Sequence, residues 1–451
     1  MVSPATETIA AIATPPGQGG VGIVRISGPD TPAIARELLG RLPRPRHAGM
    51  HDFREADQTL IDAGLALYFE APASFTGEHV LELHGHGGPV VMDLLLQRVL
   101  SLGARPARPG EFSERAYLHN KLDLAQAEAI ADLIESGTAQ AARAAMRSLQ
   151  GDFSRRVAAL IEVLTGVRMY VEAALDFPEE EIDFLTDDTL QQQLAELRAD
   201  FKDMLARTRQ GQVLRDGMTL VIAGRPNAGK SSLLNALAGS ETAIVTAIPG
   251  TTRDALREHI QIDGLPLHII DTAGLHASED PVEQAGMQRT RQALAQADRV
   301  LLVIDDQSGF TTADADILDE LPAAVPHTRV FNKVDLTGRV PGLCSNAAVE
   351  AVALSVHSGA GLADLRQHLK HCVGYSEQSD GGFSARRRHL DALQRASQHV
   401  AAGIQQLELH HAGELLAEEL HQAQQVLGEI TGAVSSDDLL GRIFSGFCIG
   451  K

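Results

Sequence analysis

The segment Gly224-Arg225-Pro226-Asn227-Ala228-Gly229-Lys230-Ser231 constrains this chain more than any other. It has the form G-x-x-x-x-G-K-[ST], follows the apolar run Met218 to Ala223 and precedes the helix-compatible run Ser232 to Ala238. Strand, glycine-rich loop and helix in that order make a phosphate cradle. The glycines let the backbone wrap where a Cβ would collide, and loop N–H groups with the helix N-terminus offer positive potential. The region from 216 to 378 alternates strand-like and helix-like runs, so it reads as an α/β nucleotide domain.

Three later segments turn "a nucleotide" into a guanine nucleotide with a switch. They are Gly250-Thr251-Thr252-Arg253-Asp254, Asp271-Thr272-Ala273-Gly274 and Asn332-Lys333-Val334-Asp335. Lys230 is expected to reach the β- and γ-phosphates and Ser231 to hold Mg²⁺ through its hydroxyl. Ala228, Gly229 and Ser232 complete that loop, and Thr246, Ala247, Ile248, Pro249 and Gly250 lead into the switch threonines. The Asp335 carboxylate can accept from guanine N1–H and the 2-amino group; adenine presents an acceptor there and is rejected. Asn332 and Lys333 brace this base loop. Ser355, in Leu354-Ser355-Val356, is the expected further base contact, with Val where Ala is usual. Asp271 ends an apolar run and is expected to hold Mg²⁺ through water, while the Gly274 N–H faces the γ-phosphate. Related GTPases place a water-orienting Gln immediately after that glycine; here it is Leu275, so Glu283 is the candidate for the task. Negative charge growing between the β- and γ-phosphates needs a cation. Arg253 is one source. The other is a monovalent cation, K⁺ by size and charge, held by Asn227 and carbonyls of the loop Thr246 to Thr251.

With 451 residues, two to four domains are expected. Net charge is −20, from 39 basic and 59 acidic residues, which disfavours broad non-specific nucleic-acid binding. No leader pattern and no apolar stretch of the roughly 20 residues needed to span a membrane is evident. The three cysteines, Cys344, Cys372 and Cys448, form no C-x-x-C pair. A cytoplasmic protein is expected. Residues 1–118 alternate strands (Ile9 to Thr14, Gly22 to Ser27, Ala63 to Phe69, His79 to Leu83) with helices (Pro32 to Leu39, Pro89 to Leu102), a small α+β domain. Residues 119–215 and 379–451 have helical periodicity, as in Leu124, Ala127, Ile130, Ala131 and Ile134, broken at Pro178 and the acidic Glu179 to Asp183. The simplest account is one all-α domain with the α/β domain inserted; four domains in series is the alternative.

Motifs outside the nucleotide domain narrow the reading. They include Ala13 to Gly28 (ATPPGQGGVGIVRISG), Ser74-Phe75-Thr76-Gly77-Glu78, Gly85-His86-Gly87-Gly88 and Arg108-Pro109-Gly110-Glu111-Phe112. Asn120-Lys121-Leu122-Asp123-Leu124 and the terminal Phe447-Cys448-Ile449-Gly450-Lys451 complete the set. With these, the whole chain resembles the MnmE (TrmE) family of tRNA-modification GTPases. The resemblance implies an N-terminal folate-binding and dimerising domain, a central helical domain and an inserted Ras-like GTPase domain. It implies a homodimer and an FAD-dependent partner, MnmG. Together they would add an aminomethyl or carboxymethylaminomethyl group at C5 of the wobble uridine of certain tRNAs. The one-carbon donor would be 5,10-methylenetetrahydrofolate (or 5-formyltetrahydrofolate as ligand).

Carried over residue by residue, the resemblance places Arg25, Glu82, Lys121 and Lys451 at the folate. It gives K⁺ to Asn227, Thr246, Ile248 and Thr251, Mg²⁺ to Ser231 and Thr252, and water positioning to Glu283. Cys448, in the terminal motif, is either a nucleophile near the folate or a packing residue. A pure switch or assembly factor, and a transferase in which GTP is only structural, are the competing readings; the N-terminal motifs with the terminal tail, and the full switch set, respectively stand against them.

Overall fold

The computed structural model describes residues 7–176, 188–238, 257–271, 297–319, 325–344, 350–375, 382–433, 437–448 and 450. The chain divides into two compact units, one of residues 1–131, 148–201 and 392–451, the other of residues 132–147 and 202–391.

In the first unit the N-terminal elements are β1 (Ile9–Ile12), β2 (Gly19–Ser27), α1 (Thr31–Leu39), β3 (Gly49–Arg54), β4 (Leu60–Phe69), β5 (Val80–Gly87), α2 (Pro89–Ser101), β6 (Arg105–Pro106) and α3 (Glu111–Leu118). The six strands form one sheet in the order β3-β4-β5-β2-β1-β6, antiparallel except for the β1–β6 edge. Alternation sorts the side chains. Val24, Ile26, Leu81, Leu83, Ala66 and Tyr68 enter a core shared with Ile34 and Leu38 of α1 and Leu95 and Val99 of α2. The intervening residues, Arg25 and Glu82 among them, lie on the other face, and β2–β5 pairing sets these two directly opposite.

Four helices follow: α4 (Leu124–Glu135), α5 (Ala139–Leu149), α6 (Asp152–Asp176) and α7 (Asp188–Asp216). The expected break at Pro178 and the acidic run after it lie outside the described residues. The nucleotide domain then brings β7 (Met218–Ala223), α8 (Lys230–Ala238), β8 (Arg257–Ile262), β9 (Leu265–Asp271), β10 (Arg299–Asp305), α9 (Thr312–Asp319), β11 (His327–Asn332), α10 (Val334–Thr337), β12 (Gly342–Leu343), β13 (Ala351–Ala353) and α11 (Leu362–Cys372). Its sheet order is β12-β13-β11-β10-β7-β9-β8; β13, β11, β10, β7 and β9 run parallel, and the edge strands β12 and β8 antiparallel. Leu220, Ile222, Leu301, Val303, Val330 and Val352 are fully or nearly fully buried, as strands covered on both faces require.

The chain closes with α12 (Arg387–His410), α13 (Gly413–Thr431) and α14 (Asp437–Ser445). The helical run expected from Leu390 to Ile430 is broken between α12 and α13, where His411 takes φ 52. Within the first unit α13 packs along α6, and Leu440, Phe444 and Phe447 bury against Leu124, Ala127 and Ala131.

Candidate functional site

In an open parallel sheet the ligand sits beyond the carboxyl ends of the strands. Those of the expected residues that are described collect there. Gly224 follows β7, Asp271 ends β9, Asn332 ends β11 and Ser355 follows β13. Asn227, Gly229, Lys230, Ser231, Ser232, Asn332, Lys333, Asp335 and Ser355 line one open cavity of about 690 Å³ with Leu336, Val356 and His357. That is within the range of small-molecule sites.

Its two halves are tied chiefly by one buried side chain. The Asn332 amide, 3% exposed, donates to the Ala228 carbonyl at 3.0 Å. Its oxygen accepts from the Lys333 N–H at 2.8 Å and the Val356 N–H at 3.2 Å. Phosphate loop and base loop are therefore held in one register. A Cβ on Gly229, which has φ +102, would overlap the Asn332 amide nitrogen, so glycine is required at that close approach. The Val356 contact is through backbone, so valine in place of alanine costs it nothing. Lys230 Nζ donates to the carbonyls of Gly224 at 2.7 Å and Arg225 at 3.0 Å, which keeps the ammonium inside the loop where phosphate oxygens can take over its bonds. Ser231 and Ser232 are exposed at the start of α8.

Asp305 was not legible as a site residue. It ends β10 at the same sheet edge and receives Lys333 Nζ at 2.7 Å, and Lys333 also donates to the Asn227 carbonyl at 2.9 Å. The bond from Lys333 holds the Asp305 carboxyl below its usual range. Its place at the end of a parallel strand was the available signal. Thr246, Ala247, Ile248, Pro249, Gly250, Thr251, Thr252, Thr272, Ala273, Gly274, Glu283, Arg253 and Leu275 lie outside the described residues, as does the side chain of Asp271.

A second cluster occupies the outer face of the N-terminal sheet. Arg25 Nε donates to Glu82 Oε1 at 2.9 Å and Nη1 to the Gly450 carbonyl at 3.2 Å. The guanidinium lies 6.0 Å from the Phe75 ring centre and 5.7 Å from that of Phe112, and His84 approaches the far oxygen of Glu82 at 3.4 Å. The terminal tail is seated beside this pair. The Gly110 N–H donates to the Cys448 carbonyl at 3.3 Å, and Gly450 at φ +95 comes so close to Ile12 that a Cβ would lie 2.5 Å from its carbonyl oxygen. Cys448 is an exposed free cysteine. Lys121 is exposed after α3, with its N–H bonded to the Ala116 carbonyl at 2.8 Å, and its side chain stands outside the Arg25 network. Lys451 lies outside the described residues.

Phe112 and the Gly110 turn are held from beneath by an ion network. Glu111, 1% exposed, accepts from Arg105 at 2.5 and 2.9 Å, from the Arg108 N–H at 2.8 Å and from Arg115 at 3.1 Å. Arg115, 2% exposed, also binds Glu78 at 2.9 Å. Burial pushes the Glu111 carboxyl up, but the bonds from Arg105, the Arg108 N–H and Arg115 outweigh it and bring it down to about 2.

Strand order, phosphate loop and base loop define a P-loop GTPase. Comparison with known proteins then fixes the family. A family model described as "GTP-binding protein TrmE N-terminus" matches residues 8–121, and one described as "MnmE helical domain" matches residues 124–448. The chain is 62% identical to the tRNA modification GTPase MnmE of Stutzerimonas stutzeri, over 99% of this chain and 100% of that one. It is 59% identical to the same enzyme of Marinobacter nauticus, over the whole of both chains. Among solved structures, Aquifex aeolicus Era bound to GDP and AlF4⁻ is similar at 26% identity, over 40% of this chain and 66% of that one, with a TM-score of 0.27. The chain belongs to the MnmE family: it is a GTP hydrolase acting in tRNA modification. Among the described residues no helix is long and apolar enough to cross a membrane.

Proposed function

We propose that GTP hydrolysis in this chain drives modification at C5 of the wobble uridine of certain tRNAs, by a homodimer working with the FAD-dependent partner MnmG in the cytoplasm. The added group is aminomethyl or carboxymethylaminomethyl. Residues 1–118 bind the folate, 216–378 hydrolyse GTP, and 119–215 with 379–451 form the helical domain between; a helical family model that spans 124–448 supports the insertion. A folate brings a pterin edge that a carboxylate can pair with and a glutamate tail that guanidinium or ammonium can bind. Glu82 and Arg25 fit those two tasks, with Phe75 and Phe112 flanking, and Lys121 and Lys451 are assigned to the tail by the family resemblance. The folate supplies the one-carbon unit.

In the nucleotide domain, Ser231 and Thr252 hold Mg²⁺, Asp271 holds it through water, and Glu283 positions the attacking water. Asn227, with Thr246, Ile248 and Thr251, holds the K⁺ that takes the place of an arginine finger. Asn227 fits that role in one respect: at φ 63 its carbonyl is engaged by Lys333, while the residue stands exposed at the rim of the cavity, free to present its amide oxygen.

The observation that carries the two-site reading is the Arg25–Glu82 pair beneath the Gly450 carbonyl, on a domain separate in sequence from the phosphate loop. Arg25→Ala and Glu82→Gln should abolish uridine modification in a reconstituted reaction with tRNA, methylenetetrahydrofolate and the FAD-dependent partner. GTP turnover should persist in both. Full modification by both variants would remove the folate assignment.

A further inference from the structure

The loop from α1 to β3 is anomalous for so acidic a chain. From Leu38 to Met50 it carries Arg41, Arg44, Arg46 and His47 and no acidic residue, in a protein of net charge −20. All four basic side chains are exposed. The loop is also stiff. Pro43 is buried and Pro45 fixes its own φ. Arg46, at φ 59, donates its N–H to the Tyr68 carbonyl and its Nη2 to the Ala73 carbonyl, each at 2.8 Å. His47 closes back on the Arg44 carbonyl at 3.2 Å and the Pro45 carbonyl at 3.0 Å.

Some surface arginines are committed to carboxylates: Arg105 to Glu7, Arg108 to Glu114, Arg155 to Asp152, Arg207 to Asp203. Among the described residues, Arg41 and Arg44 have no carboxylate partner. Glu37 and Asp52 line the same cavity of about 480 Å³ as Arg41 and His51, but Asp52 is engaged by Arg54, which also lines it. Two guanidiniums with free donor forks, on a braced loop, match phosphodiester oxygens. With a net charge of −20 the chain as a whole opposes a polyanion, so such a contact must be local.

We propose that the Arg41–His47 loop is a contact for the phosphodiester backbone of tRNA, with Arg41 and Arg44 as the phosphate ligands and Arg46 as the residue that sets the loop. The proposal rests on the tRNA-modification reading. It assigns positioning, not sequence recognition, to this surface.

The test is fluorescence anisotropy of labelled tRNA against the full-length protein as salt is varied. Arg41→Ala/Arg44→Ala should lower the slope of log K against log salt by about 2, one unit per phosphate contact, and weaken binding about tenfold or more near 0.1 M salt. Arg41→Lys/Arg44→Lys should keep most of the slope, and GTP turnover should be unchanged in both variants, which shows the fold intact. If the unaltered chain binds tRNA and the alanine variant binds with the same slope, the proposal is overturned. If the unaltered chain shows no salt-dependent tRNA binding, the tRNA reading itself fails. Lost binding to phosphatidylglycerol vesicles with tRNA binding intact would reassign the loop to a lipid surface and equally overturn it.

Discussion

Replacing Asn332 with alanine removes the buried side chain that joins phosphate loop to base loop, and leaves the more exposed Lys333–Asn227 bond across them. Three hydrogen bonds go with the amide, to the Ala228 carbonyl and from the Lys333 and Val356 N–H groups. At a net ~1 kcal/mol each, and with the backbone groups left under-satisfied in a site where Asn332 itself is buried, the loss is about 2–4 kcal/mol. The Lys333 and Val356 groups lie near an open cavity and water can recover part of this, so the lower figure bounds the effect on binding. In affinity, that range is a weakening of roughly 30- to 1000-fold. The assay is titration with a fluorescent GDP analogue, with thermal unfolding of the nucleotide-free protein alongside. We expect the unfolding midpoint to fall modestly and the Kd to rise at least thirtyfold. A Kd within about threefold of the unaltered protein would mean that the loops keep their register without the amide.

Two further outcomes follow from burial and charge. Glu111 has its carboxyl held near 2 in the fold, below the ordinary 4.5, so the Arg105–Glu111–Arg115 network stabilises the N-terminal domain fully above about pH 4.5 and loses this as pH falls toward 2. Glu111→Gln should be less stable than the unaltered chain at neutral pH and flatter with pH through that window, read by urea unfolding; parallel curves would contradict the network. The thiols should separate by reactivity: Cys448, exposed, should alkylate first, and Cys372, whose burial raises its pKa, last. Peptide mapping after timed iodoacetamide labelling reads the order, and equal rates would contradict it.

Much of this was visible in the chain because its signals are local. The phosphate loop carries its own strand and helix, so Lys230, Ser231 and Asn227 were placed by adjacency, and β7 has the expected bounds Met218–Ala223. Helices with a clean apolar stripe, such as α4, were equally plain. The edge strands β3 and β6 were not. Among the residues of β3 only Phe53 is buried, so Gly-Met-His-Asp-Phe-Arg shows no run of core alternation, and β6 is two residues ending in Pro106. β5 extends to Gly87, beyond the expected end at Leu83; a Cβ on Gly87 would meet the backbone of Gly19 and Val21 in β2, and one on Gly85 the Asp62 side chain, so the glycines that end the apolar run still belong to the strand. Asp305 pairs with Lys333, 28 residues later, and Arg25 with Phe112 and Gly450; contacts of that range leave no periodic trace.

The cation site is tested by GTP turnover of the purified protein in KCl and in NaCl, for the unaltered chain and for Asn227→Ala. Strong turnover is expected in K⁺ alone, lost in the variant while GDP binding survives. Slow turnover that is blind to the cation in both proteins would contradict a K⁺ site, and would place the missing positive charge on an arginine supplied by this chain or by a partner.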